Sequence, residues 1–372
     1  MKCRSIAAAI VIALPPSTAL RTPVKAAGIS PEVAVNRGVV QLETGRAAGI
    51  SVRIAEDLAN IIDDGATRRV LPVVGQGSLQ TLTDLKLLRG IDMAILQLDV
   101  LDYARQQSLY PGIENWATYI TKLYNEEFHL LARRDIETVA DLANKSVEVD
   151  LRGSGTAITA ARLFELLNIP AVMTNDDQEV ALDKLRKGDI AAMAFVTGKP
   201  APIFRTLTGN DGLHFLAIPL PAVVAAYVPS RLTATDYPGL ISPEQPVDTV
   251  AVGAVLLAAN FQQGSERYRN LANFVDAFFT RFQLLLDPGR HPKWHEVNIM
   301  AELPGWRRFP PAEQWLQRNA PVASTPNLQD LKAIFSRFID ERQQVTGGQP
   351  MTQQEKDHLF GQFEAWQKGQ RQ

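Results

Sequence analysis

Three loops in this 372-residue chain set glycine beside a small hydroxyl residue ahead of a segment with helical period: Glu43-Thr44-Gly45, Gly75-Gln76-Gly77-Ser78 and Gly153-Ser154-Gly155-Thr156. The first turn of a helix leaves backbone N–H groups unpaired, and the helix dipole favours negative charge there. Glycine lets a ligand approach those amides, and Ser or Thr adds a hydroxyl donor, which together make a carboxylate clamp. Each loop taken singly also fits an ordinary N-cap. Three of them at equivalent places, facing one another from two halves of a protein, give the anion-binding reading equal standing.

Other side chains collect near these loops. Arg152 precedes the third and has three readings: a charged ligand donor, a partner of Asp150, or a solvated residue. Gln97 and Asp99 end an apolar strand-like run and aim at the same crevice, although Asp99 equally suits a helix N-cap. Tyr124 and Glu127 lie on a long extended stretch, either against a ligand or packed in a hinge. Thr197 closes another buried run, before Gly198-Lys199-Pro200. The candidate ligand-binding set is Thr44, Gly45, Gly77, Ser78, Gln97, Asp99, Tyr124, Glu127, Arg152, Ser154, Gly155, Thr156 and Thr197. It includes no catalytic residue, metal ligand or cofactor.

Competing chemistries fail one by one. Gly75-Gln76-Gly77 lacks the third glycine of a dinucleotide fingerprint, since Gln80 holds its place. Gly198-Lys199 is followed by Pro200, not by Ser or Thr, so it is no phosphate loop. Gly153-Ser154-Gly155 is not the Gly-x-Ser-x-Gly elbow of hydrolases. His291 and His295 are four apart, but Pro292 argues against the helix that would pair them on a metal. With five histidines, few candidates exist for acid–base work, and the reading is that of a non-enzyme.

The residues that position these loops alternate between β-rich runs and helical stripes, the pattern of an α/β fold with a mainly parallel sheet. Val39 to Leu42, Val70 to Val74 and Met93 to Leu96 read as strands. A stripe of Ile50, Ile54, Leu58, Ile61 and Ile62 reads as the helix after the first of them. The rhythm restarts at Val147 and runs to Ile218. Two extended stretches, Thr118 to Leu131 and Ala222 to Val228, read as crossings between two lobes joined by a hinge. A ligand cleft is then expected at the carboxyl ends of the strands. The expected division is lobe 1 from residues 27–125, lobe 2 from 126–222, and a return to lobe 1 over 223–320. A helical hairpin extension follows over 321–372, its second helix opening with the capping box Thr352 to Glu355.

Residues 1–26 have the anatomy of a secretory signal peptide. A basic Met1-Lys2-Cys3-Arg4 precedes an apolar run from Ser5 to Leu14, which is too short to span a ~30 Å bilayer core. Removing this segment takes away Lys2, Arg4, Arg21 and Lys25, moving the formal charge from −2 to −6. It also removes Cys3, the one cysteine, and with it any thiolate chemistry. Negative charge and sparse aromatics argue against nucleic acid as a partner.

Several of these segments also carry a resemblance. They are Gly77-Ser78-Leu79 with Leu85-Lys86, Gly90 to Ala94 with Gln97-Leu98-Asp99, Tyr124 to Leu130, Gly153 to Thr156, Leu185 to Asp189, and Gly198-Lys199-Pro200. In this order they resemble the TAXI solute receptors of tripartite ATP-independent periplasmic (TRAP) transporters, over about residues 36–260 and more thinly to 320. The resemblance implies a type II periplasmic-binding fold and a periplasmic location. It further implies capture of small carboxylates such as glutamate or 2-oxoglutarate, with delivery to membrane permease subunits. It extends to Gly77, Ser78, Gln97, Asp99, Tyr124, Glu127, Ser154, Gly155 and Thr156 as cleft residues. The chain departs from the family around Ile50-Ser51, where an aromatic is usual, at His291 to Trp294, and in the tail after 320. These departures leave ligand identity open. They also leave room for the alternative of a ligand sensor that reports occupancy to a signalling receptor.

Overall fold

The computed structural model describes residues 36–47 and 49–319, together with 332, 335, 336, 339, 351–357 and 359–361. The signal segment expected at 1–26 and most of the extension expected at 321–372 lie outside the described residues.

The first half alternates as β1 (Val39–Thr44), α1 (Ser51–Ile62), β2 (Arg69–Val74), α2 (Leu79–Leu87), β3 (Met93–Gln97) and α3 (Leu98–Gln106). A short α4 (Ile113–Trp116) leads into the 17-residue β4 (Ala117–Arg133). The second half repeats the rhythm with β5 (Ser146–Glu148), α5 (Gly155–Leu166), β6 (Val172–Thr174), α6 (Gln178–Lys187) and β7 (Ala192–Thr197), then β8 (Leu213–Phe215) and β9 (Val228–Leu232). The 13-residue β10 (Val247–Ala259), α7 (Glu266–Thr280) and α8 (Pro310–Asn319) complete the body.

All ten strands join in the order β2-β1-β3-β10-β4-β7-β5-β6, with β8 on β4 and β9 on β10. Each half follows one plan. Three parallel strands take the order second-first-third, as β2-β1-β3 and β6-β5-β7. A long antiparallel strand then closes each set, β10 beside β3 and β4 beside β7. This is the strand order of the type II periplasmic-binding fold. The two long strands pair with each other and carry the chain between the lobes. Their register shifts between Gly253 and Val255, near the lobe boundary, and such irregularities bend a strand.

The lobes are defined by separate cores. In lobe 1, Ile54, Leu58 and Ile62 of α1 meet Phe274 and Phe278 of α7 and the fully buried Trp294 on one side of the sheet. Leu82, Leu85, Val100 and Leu101 cover the other side. In lobe 2, Leu163 and Phe164 of α5 pack with Val147, Phe128 and Tyr227. Leu182 and Leu185 of α6 join Phe204, Phe215 and Tyr237 opposite them. Each fully buried side chain of this kind contributes about 1.5–3 kcal/mol by leaving water.

The helices that matter for function have identifiable starts and stops. Ser154 caps α5, its Oγ accepting from Ala157 N at 3.1 Å. Asn168, at φ +55°, and Pro170 turn the chain beyond its end. Asp177 caps α6 by accepting from Val180 N at 3.0 Å. Gly188 ends that helix in the left-handed region after Lys184, Arg186 and Lys187 have placed positive charge in its last turn.

The structure differs from expectation in how the chain returns to lobe 1. Residues 222–228 do not cross. Val223 N and Val224 N both donate to Leu220 O, and Tyr227 N donates to Val223 O, so Pro219 to Tyr227 form tight turns. Val223, Tyr227, Leu232, Tyr237 and Ile241 all pack in lobe 2. The return falls on β10, between Val252 in the lobe 2 core and Ala254 in the lobe 1 core. The first crossing stands as expected on β4, which runs unbroken through Asn125-Glu126-Glu127. In the tail, Phe335 meets Phe360 edge to face and Lys332 pairs with Asp357 at 2.9 Å.

Candidate functional site

The carboxyl ends of β1, β3 and β7 and the N-terminus of α5 converge between the lobes on a cavity of about 70 Å³. A single water needs only ~10–15 Å³ on this scale, so the space suits a small solute. Lobe 1 lines it with Gly45, Arg46, Gly49, Ser51, Gln76, Gly77, Ser78, Ile95, Leu96 and Gln97. Glu126 lines it from the crossing strand. Lobe 2 supplies Asp150, Ser154, Gly155, Thr156, Gln178, Phe195, Val196 and Thr197.

The lobes are shut over this space. Leu79 N donates to Gly153 O at 3.2 Å across the boundary. Thr159 of α5 donates its hydroxyl to Asp99 Oδ2 of α3 at 2.6 Å, and Tyr227 reaches the same oxygen at 3.3 Å. Gln97 lies so close to the tip of α5 that a Cβ on Gly155 would overlap its amide. That amide is held from two sides, with Ser78 Oγ donating to Oε1 at 3.0 Å and Nε2 donating to Glu126 Oε2 at 2.5 Å.

Of the sequence-derived candidates, Gly45, Gly77, Ser78, Gln97, Ser154, Gly155, Thr156 and Thr197 come together at the cavity. The hydroxyls of Ser154 and Thr156 are occupied, the first as the α5 cap and the second accepting from Val196 N at 3.0 Å. The free donors at this tip are the Gly155 and Thr156 amides, which find no partner among the described residues.

The remaining candidates lie elsewhere. Thr44 is fully buried, and its hydroxyl donates to Gly45 O at 3.0 Å. Tyr124 is fully buried in the lobe 1 core. Glu127 sits in a buried network, accepting from Lys293 Nζ at 2.7 Å and from Lys199 N at 3.1 Å. Asp99 and Arg152 border a second, open groove between α3 and α5. Arg152 is exposed and forms no ion pair with Asp150.

Residues outside the sequence-derived set complete the lining. Arg46 brings the cation, in the loop that follows Gly45. Burial pushes the Glu126 carboxyl up to about 7, the neighbouring charge of Glu127 adding to the effect while the Gln97 bond and Lys293 oppose it. Burial also raises Asp150 above the usual carboxylate range, against the Leu151 N–H and the charge of Arg46. Asp150 takes the left-handed conformation at φ +67°, which aspartate tolerates better than most residues. Its Oδ1, Gln178 Oε1 and Thr197 Oγ1 are buried without a hydrogen-bond partner among the described residues.

Fold and site together define a two-lobed binding protein closed over a small polar cavity. The chain belongs to the NMT1-like family, matched over residues 42–269. Among solved structures it is similar to a periplasmic transporter (12% identity, TM-score 0.48, covering 75% of this chain and 92% of that one). It is also similar to the periplasmic binding protein BugD (14%, 0.47, 75% and 93%). A third similar structure is a TctC solute binding protein from Polaromonas (14%, 0.39, 65% and 88%).

Proposed function

We propose that this chain is a periplasmic solute receptor that closes around a small carboxylate, of the glutamate or 2-oxoglutarate kind, and delivers it to a TRAP-type membrane permease. The observation that carries the reading is the inter-lobe cavity, which is lined together by the Arg46 side chain and by Gly155 and Thr156, whose amides have no partner among the described residues. A carboxylate there would meet amide donors, the positive end of a 12-residue helix and a guanidinium. Closing two lobes over the solute ties capture to a shape that a membrane partner can distinguish from the open one. The signal segment expected at residues 1–26 supports export.

The test is thermal denaturation of residues 27–372 with C4–C6 carboxylates and amino acids. A micromolar site corresponds to about −8 kcal/mol of binding and raises the melting temperature at millimolar ligand. Arg46→Gln should remove that rise. A protein whose melting is indifferent to every carboxylate and amino acid tried would not be a receptor of this class.

A further inference from the structure

The lobe 2 wall of the cavity carries hydrogen-bond acceptors without partners among the described residues. Asp150 Oδ1, Gln178 Oε1 and Thr197 Oγ1 all belong to lobe 2, on residues that are 4%, 3% and 1% exposed, and none has a partner among the described residues. Buried polar atoms are normally satisfied, and leaving one unmet costs about 1–3 kcal/mol. Two of these atoms, the Asp150 and Gln178 oxygens, can only accept, and the Thr197 hydroxyl can accept beside them, so together they suit a ligand group that donates.

The charges around the cavity agree. Among the described residues that line it Arg46 is the one cation, against the carboxyls of Asp150 and Glu126. Arg46 and Asp150 feel each other's charge yet form no ion pair within 4 Å, and Asp150 Oδ1 has no partner among the described residues. Asp150 is fixed in place. Its N–H donates to Glu148 Oε1 at 3.0 Å and its carbonyl accepts from Asn175 Nδ2 at 2.6 Å.

We infer that the cavity takes a solute bearing one carboxylate and one positive donor group, with the carboxylate at Arg46 and the α5 tip and the donor group at Asp150, Gln178 and Thr197. The inference rests on the proposed capture of a carboxylate between the lobes and narrows it. A dicarboxylate without an amino group brings no donor to Asp150, and any second carboxylate sets its charge among carboxyls. A zwitterion with an uncharged remainder matches both walls. On this point the site favours the amino acid over the oxo acid among the carboxylates that the family resemblance implies, and it favours one without a second carboxylate.

The experiment is calorimetric titration of residues 27–372 at pH 7.5. The probes are L-amino acids of two to six carbons with uncharged side chains, their 2-hydroxy and deaminated analogues, and C4–C6 dicarboxylates. The expected result is micromolar binding of at least one amino acid, with its hydroxy analogue about tenfold and its deaminated analogue at least 100-fold weaker. Asp150→Asn should weaken the amino acid at least 30-fold and leave the deaminated analogue unchanged or tighter. Gln178→Leu, which spares the Asp150 loop, should weaken the amino acid severalfold, so the inference survives a folding defect in the first variant. Dicarboxylates binding more tightly than every amino acid would overturn it while leaving carboxylate capture standing. So would amino acid affinity that both variants leave untouched. Failure of every probe to bind would overturn the capture reading and this inference together.

Discussion

Thr159 Oγ1 donates to Asp99 Oδ2 at 2.6 Å across the lobe boundary, tying α5 of one lobe to α3 of the other. Burial at this contact pushes the Asp99 carboxyl up to about 6 from an ordinary 3.8, with the bonds from Thr159 and Tyr227 opposing the rise. Opening the lobes would return Asp99 to water and its pKa to the ordinary value. The closed form therefore binds the proton more tightly. Its advantage is complete below about 4 and is lost as pH rises through about 6. Acidifying ligand-free protein from pH 7.5 to 5 should shift it towards closure by about 1–2 kcal/mol, allowing for partial solvent screening. Small-angle scattering should record a smaller radius of gyration at the lower pH. Asp99→Asn should flatten the response, leaving the part due to Glu126, whose buried carboxyl has the same sign.

Lys293 and Glu127 are each 3% exposed on their side chains and stand 2.7 Å apart, linking the segment after α7 to the crossing strand β4. Lys293 also reaches Glu296 at 2.7 Å, while Lys199 N and Ser230 Oγ donate to Glu127. Lys293→Met strands a buried carboxylate and should cost roughly 3–5 kcal/mol in urea denaturation. Adding Glu127→Gln removes that charge and should recover more than half of the loss. If the double variant is no more stable than the single one, the pair is not what holds this joint.

The loops of the site were legible because their logic is local. Glycine with a hydroxyl residue at a strand-to-helix junction places Gly45, Gly77-Ser78 and Ser154-Gly155-Thr156 at the carboxyl ends of parallel strands, where such folds leave room. Facing on the long strand was harder to read. Successive residues of a strand point to opposite faces, so choosing Glu127 over Glu126 exchanges a hinge ion pair for the cavity wall. Arg46 and Asp150 each adjoin a glycine loop, and their chemistry was available. What singles them out is that neither forms an ion pair among the described residues, a three-dimensional property. The apolar run at 222–228 reads as extended, yet Pro219 and Pro221 start a turn and the chain recrosses 25 residues or so later, on β10. No local pattern distinguishes a strand that crosses lobes from one that ends in its own.

Asp57 shows how the segment after α7 is fastened to lobe 1. Fully buried on α1, it accepts from Trp294 Nε1 at 3.0 Å and His291 N at 2.9 Å, with Arg53 and Arg290 each 3.5 Å away. Asp57→Ala would leave two buried donors unmet and two cations without their shared partner. A loss of about 2–5 kcal/mol is expected in thermal or chemical unfolding, with ligand affinity of the folded fraction unchanged. An affinity that fell along with stability would place this segment in the site after all.

Gly155 is the position where fold and capture meet most closely. The residue opens α5, its amide has no partner among the described residues, and its Cα faces the Gln97 side chain from the other lobe. Alanine suits a helix interior better than glycine by about 1 kcal/mol, so Gly155→Ala should not destabilise lobe 2 itself. The added methyl would instead meet Gln97, displacing it from Ser78 and Glu126 or holding the lobes apart. Either outcome penalises closure and leaves each lobe folded. Ligand affinity should fall at least tenfold, about 1.4 kcal/mol, with the ligand-free melting temperature within 2 °C or so of the parent. Gln97→Ala in the same chain should restore part of that affinity by making space for the methyl. Equal affinity in Gly155→Ala and parent would mean that the lobes close without bringing these two residues into contact.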